Sequence, residues 1–190
     1  ERRGQDFSTI YAGISLDQQQ VIDAQMVDNI DHIFWIGDLN YRIEMVDEAS
    51  GKSFMNTKTE FDTVCNLVQD QDWEQLAAWD QLKREMATGA IFAGFEEHDI
   101  SFAPTYRMIK DKVQCYGLKT PTRFQAPSFC DRILWHSVGS HHSEPQRAAD
   151  GASVSPTASP GSSDLAPWFR CRSYEASHEF LGSDHRAVVA

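Results

Sequence analysis

Three short polar segments, each at the end of an apolar run or near the last residue, constrain this chain most strongly. They are residues 37–42 (Gly-Asp-Leu-Asn-Tyr-Arg), 127–135 (Pro-Ser-Phe-Cys-Asp-Arg-Ile-Leu-Trp) and 182–186 (Gly-Ser-Asp-His-Arg). Each places an aspartate beside an asparagine, an arginine or a histidine. Aspartate can orient or deprotonate water, asparagine and histidine can donate to phosphoryl oxygens, and the arginine fork matches phosphate. The pattern therefore predicts hydrolytic phosphate chemistry.

Apolar spacing predicts helices in three places. Thr59 is the expected N-cap of the helix that contains residues 61–68. Asp72 is expected to open the helix that contains residues 76–86, through a capping-box pattern, and Gly89 is expected to end that helix. The apolar residues recur at intervals of three and four, which is the period of one helix face. The three stripes are Phe7, Ile10, Tyr11 and Ile14; Phe61, Val64, Cys65 and Val68; and Leu76, Trp79, Leu82 and Met86.

Short apolar runs predict strands. Residues 33–36 (Ile-Phe-Trp-Ile) form a continuous run ended by Gly37, which is typical of a strand buried on both faces. Helices followed by several short strands favour an α/β sandwich, in which sheets pack face to face under outer helices. The later strands are expected at residues 100–102, 113–118, 132–136, 168–174 and 187–190.

One interior segment departs from this pattern. Residues 140–167 are rich in serine, proline, alanine and glycine, with almost no large apolar side chain before Leu165. Such a segment buries too little surface to offset the entropy lost on ordering. We therefore expect a disordered insertion within one domain, since 190 residues with 41% hydrophobic content can build a single core.

The net charge of −11 narrows the classes of partner. It disfavours a general polyanion binder, so no nucleic acid is expected, and it weakens the case for a polybasic membrane patch. The four cysteines include no C-x-x-C pair, which favours reduced thiols and an intracellular protein, in the cytoplasm or at the cytosolic face of membranes.

The three segments closely resemble the signature segments of the inositol polyphosphate 5-phosphatases, members of the DNase I-like endonuclease/exonuclease/phosphatase fold. The resemblance continues through residues 79–82 (Trp-Asp-Gln-Leu), 94–97 (Gly-Phe-Glu-Glu) and 102–107 (Phe-Ala-Pro-Thr-Tyr-Arg), and includes the opening residues 1–7. It implies an α/β sandwich of two packed mixed sheets flanked by helices.

Parts of the family pattern are not found in these 190 residues. In the family, an asparagine-containing strand, a metal-binding glutamate and a histidine-containing segment precede the region that is matched here. The resemblance therefore implies that residues 1–190 are the C-terminal portion of one catalytic domain whose N-terminal half is missing. On this basis we expect the isolated fragment to be inactive.

The resemblance also implies roles for individual residues. Asp38 is the base or orienter of the attacking water, Asn40 donates to phosphate, and Asp131 pairs with His185, which faces the scissile phosphate. Asp184 lies where the family places a carboxylate near the metal, bound either directly or through water. From the residues alone, a turn-forming role is favoured for Asp38 taken by itself, and it competes with the metal role for Asp184.

Substrate recognition is expected at Tyr106, Arg107, Arg123 and Arg42. For Arg42 a structural ion pair is an equal alternative, and Arg107 and Arg123 could be ordinary surface arginines. Gln125 stands where relatives that prefer a 4-phosphate carry a cation, and a charge-assisted bond is about twice as strong as a neutral one. A requirement for a 4-phosphate or a 3-phosphate therefore stays open.

The function implied is Mg²⁺-dependent hydrolysis of the 5-phosphate of an inositol polyphosphate or a phosphoinositide headgroup. Peripheral membrane contact would come from regions outside this chain. Two alternatives remain: a nuclease of the same fold, and a non-catalytic pseudoenzyme or interaction fragment. Within the second motif, Arg132 is expected to be structural, and the pair Glu96-Glu97 is expected to form an exposed loop.

Overall fold

The computed structural model describes residues 2–13, 15–17, 20–21, 32–47, 49–118, 120–137 and 171–190. Its helices are α1 (Arg2–Gly13), α2 (Lys58–Asp70), α3 (Trp73–Ala78) and α4 (Gln81–Ala87). The expected insertion at residues 140–167 lies outside the described residues, so its disorder and the single-domain organisation stay predictions. None of the described helices has both the length and the apolar character needed to cross a bilayer.

Helix α2 begins two residues before the expected position, so the prediction of Thr59 as its N-cap is wrong. Thr57 has an extended backbone, and its hydroxyl accepts a hydrogen bond from the Glu60 amide at 3.1 Å. The buried Glu60 carboxylate in turn accepts from the amides of Asn56 at 2.8 Å and Met45 at 3.0 Å. The T-x-x-E pattern that marks a capping box therefore starts at residue 57.

The last predicted stripe belongs to two short helices rather than one. Asp72 caps α3 as expected, accepting from the Gln75 amide at 3.1 Å. The chain then breaks at Trp79, and Asp80 caps α4 by accepting from the Lys83 amide at 3.0 Å. Leu76 and Trp79 pack in one apolar cluster and Leu82 and Met86 in another, yet all four keep helical spacing, so periodicity alone did not reveal the break. Gly89 follows with a φ of +69°, as expected beyond a helix end.

The strands form four antiparallel pairs within the described residues. The longest joins β3 (His32–Asp38) to β6 (Asp131–Ser137). Shorter pairs join β1 (Ser15–Asp17) to β2 (Gln20–Val21), β4 (Val46–Asp47) to β5 (Lys52–Ser53), and β7 (Glu175–Ala176) to β8 (Val188–Val189). Strands were thus correctly predicted around residues 132–136 and 187–190, and helices with strands confirm the α/β class.

Other expected strands are loops. Residues 100–102 pair with no strand in the described part of the chain. Ile100 and Phe102 are nevertheless buried, because an irregular segment can also pack apolar side chains into a core. Residues 113–118 form part of a chain reversal: Asp111 before them and Gln114 within them have left-handed backbones, with φ of +60° and +47°. Of the strand expected at 168–174, the described part, residues 171–174, is irregular, and pairing begins at Glu175.

Strand β3 is buried on one face rather than on both. Trp35 packs against Phe92, with ring centroids 5.5 Å apart, whereas Phe34 and Ile36 are 47% and 64% exposed. The alternation follows from pairing with β6 and from packing on one side by the loop that carries Phe92 and Phe95. A second cluster, built on Val64, Leu76, Phe102, Phe129 and Tyr174, packs α2 and α3 against the loops.

Candidate active site

The register of β3 and β6 brings two of the polar motifs to the same end of one strand pair. Asp38, the last residue of β3, lies opposite Asp131, the first residue of β6. The pairing continues one step further, because the Leu39 amide donates to the Cys130 carbonyl at 2.7 Å. Two carboxylates 93 positions apart in the sequence therefore face each other across a ladder.

The third motif reaches the same place through residues 105–108. The Arg186 amide donates to the Thr105 carbonyl at 2.9 Å, and the Met108 amide donates to the Asp184 carbonyl at 2.8 Å. These bonds place the His185 imidazole between the two carboxylates. Asp38, Asp131 and His185 each offer one possible metal-ligand atom, and these three atoms lie within 4.8 Å of one another.

The imidazole of His185 has two different neighbours. Its Nδ1 lies 3.0 Å and 3.2 Å from the two Asp131 oxygens, and its Nε2 lies 3.9 Å from Asp38 Oδ2. Because a carboxylate accepts, Nδ1 carries the proton in this arrangement and Nε2 faces Asp38. With 48% of its side chain exposed, Asp38 can meet water from the cleft.

Asn40 and Arg42 extend the cluster on one side. The left-handed backbone of Asn40, with φ of +57°, lets its amide donate to Asp38 Oδ1 at 2.9 Å. Arg42 donates to the Asn40 side-chain oxygen, and its guanidinium lies 4.4 Å from the centre of the Tyr106 ring. The Tyr106 ring in turn lies 4.5 Å from that of His185. Residues 38, 40, 42, 106, 131 and 185 therefore form one continuous group.

Arg42 has a buried nitrogen, Nη1, without a hydrogen-bond partner among the described residues. Its guanidinium contacts an amide oxygen and an aromatic ring. Among the described residues no carboxylate pairs with it, so the alternative role of Arg42 in a structural ion pair is not supported there. A buried guanidinium nitrogen of this kind is suited to an anionic ligand.

Arg107 and Asp184 pair with each other at the edge of this group. Arg107 Nε donates to Asp184 Oδ2 at 3.0 Å, and its Nη1 donates to the Leu118 carbonyl at 2.9 Å. Partial burial acts to raise the pKa of Asp184, but the hydrogen bond and charge of Arg107, a backbone hydrogen bond and the nearby His185 together lower it. Within the described residues, Asp184 does not join the carboxylate–imidazole cluster in which a metal could bind.

The remaining recognition residue, Arg123, is exposed and lies in a turn closed by its own amide, which donates to the Thr120 carbonyl at 3.1 Å. None of the contacts described for it joins it to the cluster. Nearby in sequence, the side-chain oxygen of Gln125 is buried and has no hydrogen-bond partner among the described residues.

The sequence did not indicate a role for two residues that lie beside the cluster. Thr105 is fully buried and donates its hydroxyl to Asp131 Oδ2 at 2.6 Å. Arg186, also fully buried, donates to the carbonyls of Ser183 and His185, both at 3.0 Å, and to that of Lys112 at 2.6 Å. Both residues lie in segments that resemble the family, residues 102–107 and 182–186. Residue type alone, however, does not show what a buried hydroxyl or guanidinium contacts.

Arg132 is structural, as the sequence suggested, because it lies in a buried ionic network. It donates twice to Glu97, both at 2.6 Å, and twice to Asp80, at 2.9 Å and 3.0 Å. Tyr174 adds a bond from its hydroxyl to Glu97 at 2.9 Å. The expectation that Glu96-Glu97 forms an exposed loop is therefore wrong for Glu97, whose side chain is only 4% exposed because it neutralises Arg132.

The thiol beside the cluster is not a nucleophile. All four cysteines are free, and burial raises the pKa of Cys130 to about 12. A thiolate is the reactive form of cysteine, so this group stays protonated and inert near neutral pH.

The fold matches solved structures of the DNase I-like type. The inositol polyphosphate 5-phosphatase domain of SPSynaptojanin, solved with inositol (1,4)-bisphosphate and calcium ion, superposes with a TM-score of 0.65 at 24% identity, covering 98% of this chain and 40% of that one. A Cimex nitrophorin ferrous NO complex superposes with a TM-score of 0.54 at 23% identity, covering 95% and 44%. One fold thus carries different functions, and function must be argued from the site.

The chain belongs to the Endonuclease/Exonuclease/phosphatase family 2, whose model matches residues 1–190. Over 193 residues it is 28% identical to phosphatidylinositol 3,4,5-trisphosphate 5-phosphatase 1 of Rattus norvegicus, covering 100% of this chain and 13% of that protein. It is 39% identical over 111 residues to type I inositol polyphosphate 5-phosphatase 2 of Arabidopsis thaliana, covering 57% and 15%. The resemblance to inositol polyphosphate 5-phosphatases is therefore confirmed, and the chain spans a small part of these relatives.

Proposed function

We propose that the protein is a phosphoric monoester hydrolase that removes the 5-phosphate from inositol polyphosphates or phosphoinositides with the help of Mg²⁺. The observation that carries the proposal is the convergence of Asp38, His185 and Asp131, three groups brought together from separate motifs. The named activities of the relatives supply the substrate class. An intracellular location, at the cytosol or a membrane facing it, is part of the proposal.

The cluster would act on a phosphate group as follows. Asp38 would orient the attacking water, because its half-exposed carboxylate faces the cleft. His185, held by Asp131 through Nδ1, would donate from its other nitrogen to a phosphoryl oxygen once protonated. Asn40 and Arg42 would hold further oxygens, since charge-assisted bonds from a guanidinium are strong.

The donor chemistry of the cluster fits Mg²⁺ as a cofactor shared with the substrate. Asp38 is the carboxylate on the exposed side, whereas both Asp131 oxygens accept hydrogen bonds from Thr105 or His185. Proteins usually hold Mg²⁺ through one or two carboxylates, with waters and substrate phosphate oxygens completing the shell. The ion would neutralise charge on the phosphoryl group and the leaving oxygen.

A nuclease of this fold is the weaker candidate. Nucleic-acid affinity depends on many phosphate contacts from lysine and arginine, and this chain has 17 basic against 28 acidic residues. A non-catalytic interaction fragment is the other candidate. Only a measurement of phosphatase activity distinguishes it from the proposed enzyme.

Phosphate release is the direct test. The full protein that carries this chain should release phosphate from a 5-phosphorylated inositol when Mg²⁺ is present, and the release should stop when the metal is chelated. A thiol-blocking reagent should leave the rate unchanged, because the Cys130 thiol is inert. From the sequence, residues 1–190 alone are expected to show no turnover. Mg²⁺-independent release, or cleavage of DNA instead, would contradict the proposal.

Substrate choice gives a second prediction. Gln125→Arg should favour substrates with a 4-phosphate by about fivefold in kcat/KM, because a charge-assisted bond replaces a neutral one. Arg107→Ala should shift the ratio the other way, and Arg172→Ala, at an exposed position outside the motifs, should leave it unchanged. The measurement is the kcat/KM ratio for 4,5-bisphosphorylated and 5-only substrates. An unmoved ratio in both variants would mean that these residues do not contact the ring.

A further inference from the structure

Thr105 contacts both motifs that meet at His185. Its hydroxyl donates to Asp131 Oδ2 at 2.6 Å, at the start of β6. Its carbonyl accepts the Arg186 amide at 2.9 Å, in the segment that carries His185. The side chain is fully buried, so water does not compete for the hydroxyl.

The distances around Asp131 show what the hydroxyl can do. His185 Nδ1 lies almost equally far from the two carboxylate oxygens, at 3.0 Å and 3.2 Å. The imidazole therefore does not by itself select one rotation of the carboxylate, and rotation about the terminal bond of an aspartate is soft. The short bond from Thr105 to one oxygen does select it.

We propose that Thr105 is a positioning residue that fixes the Asp131 carboxylate and, through it, the orientation and tautomer of His185. Thr105 is not catalytic, because Asp131 stands between its hydroxyl and His185. The consequence for rate rests on the proposed phosphatase function. The consequence for the imidazole does not, and it can be measured without turnover.

A purely structural bond would behave differently. Buried hydroxyls nearly always find an acceptor, so a bond from Thr105 is expected whatever its purpose. Losing a structural bond lowers stability and leaves the imidazole unchanged. Ser128 provides the comparison, since its buried hydroxyl donates to the Ala126 carbonyl at 2.9 Å and accepts from the Ile43 amide at 3.1 Å, with no contact to Asp131 among the bonds described.

The experiment compares Thr105→Val, which keeps the shape but removes the donor, with Thr105→Ser, which keeps the donor, and with Ser128→Ala as the control. In the full protein, ¹⁵N NMR of the His185 ring reports the tautomer, and steady-state kinetics report kcat and KM. We expect Thr105→Val to mix the tautomers and to lower kcat by about tenfold at unchanged KM, as for other residues that orient a functional histidine. Thr105→Ser should keep both the His185 tautomer and the kcat of the wild type.

A wild-type-like tautomer in Thr105→Val would overturn the inference, as would an equal loss of kcat in Ser128→Ala. If Thr105→Val does not fold, Thr105→Ala, which places no methyl against the carboxylate, is measured in the same way. Should the wild-type protein release no phosphate, the proposed function fails. The NMR comparison would still decide the role of Thr105.

Discussion

Asp38→Asn and His185→Ala are each expected to lower kcat by about 10²-fold or more in the full protein. The asparagine cannot accept a proton or orient water as a carboxylate does, and the alanine removes the donor that faces the phosphoryl group. Both side chains are partly exposed, so the fold should be retained. The measurement is kcat with a 5-phosphorylated inositol, alongside a thermal unfolding curve.

Matched controls separate chemistry from general damage. Asp62→Asn and His98→Ala change the same residue types at exposed positions away from the cluster, and their kcat should stay near wild type. The double variant Asp38→Asn/His185→Ala should lose little more than either single variant, because residues that act in one step are not additive. Near-normal kcat in both single variants would show that the cluster is not the active site.

The sequence predicted the location of this cluster better than its internal contacts. Polar residues that end a strand were expected to face a cleft, and Asp38 and Asp131 do end one strand pair. The partner of each charged group was less predictable. Arg107 was expected to contact substrate and Asp184 to lie near a metal, and both roles stay predictions; their bond to each other across 77 positions was not foreseen. Residue type alone does not show which distant side chain a charged group will bond.

The fold shows the same division between local and long-range information. Helix α2 and its buried face were predicted from apolar spacing, because that spacing is a property of the helix itself. The break at Trp79 between α3 and α4 was not, because the apolar residues keep helical spacing across it although the two helices pack in different clusters. Likewise the run at residues 33–36 indicated a strand, but which of its faces is covered depends on loops distant in sequence.

The buried network around Arg132 gives the largest expected effect on stability. Arg132→Met should lower the free energy of unfolding by about 3–5 kcal/mol, because it leaves Asp80 and Glu97 in the interior without a counter-ion. Burial already raises the pKa of the Asp80 carboxyl, and Arg132 is the group that opposes this rise. Chemical denaturation of the wild type and the variant measures the difference.

The desolvated charges, rather than the lost side-chain volume, should account for this loss. If so, adding Asp80→Asn and Glu97→Gln to Arg132→Met should recover much of the stability, since asparagine can still cap α4 and no unpaired charge remains. Lys58→Met breaks an ion pair that is exposed on both sides and should cause no measurable change. A triple variant no more stable than Arg132→Met alone would instead assign the loss to packing. Arg132 would then support the Asp131 end of β6 through its shape rather than its charge.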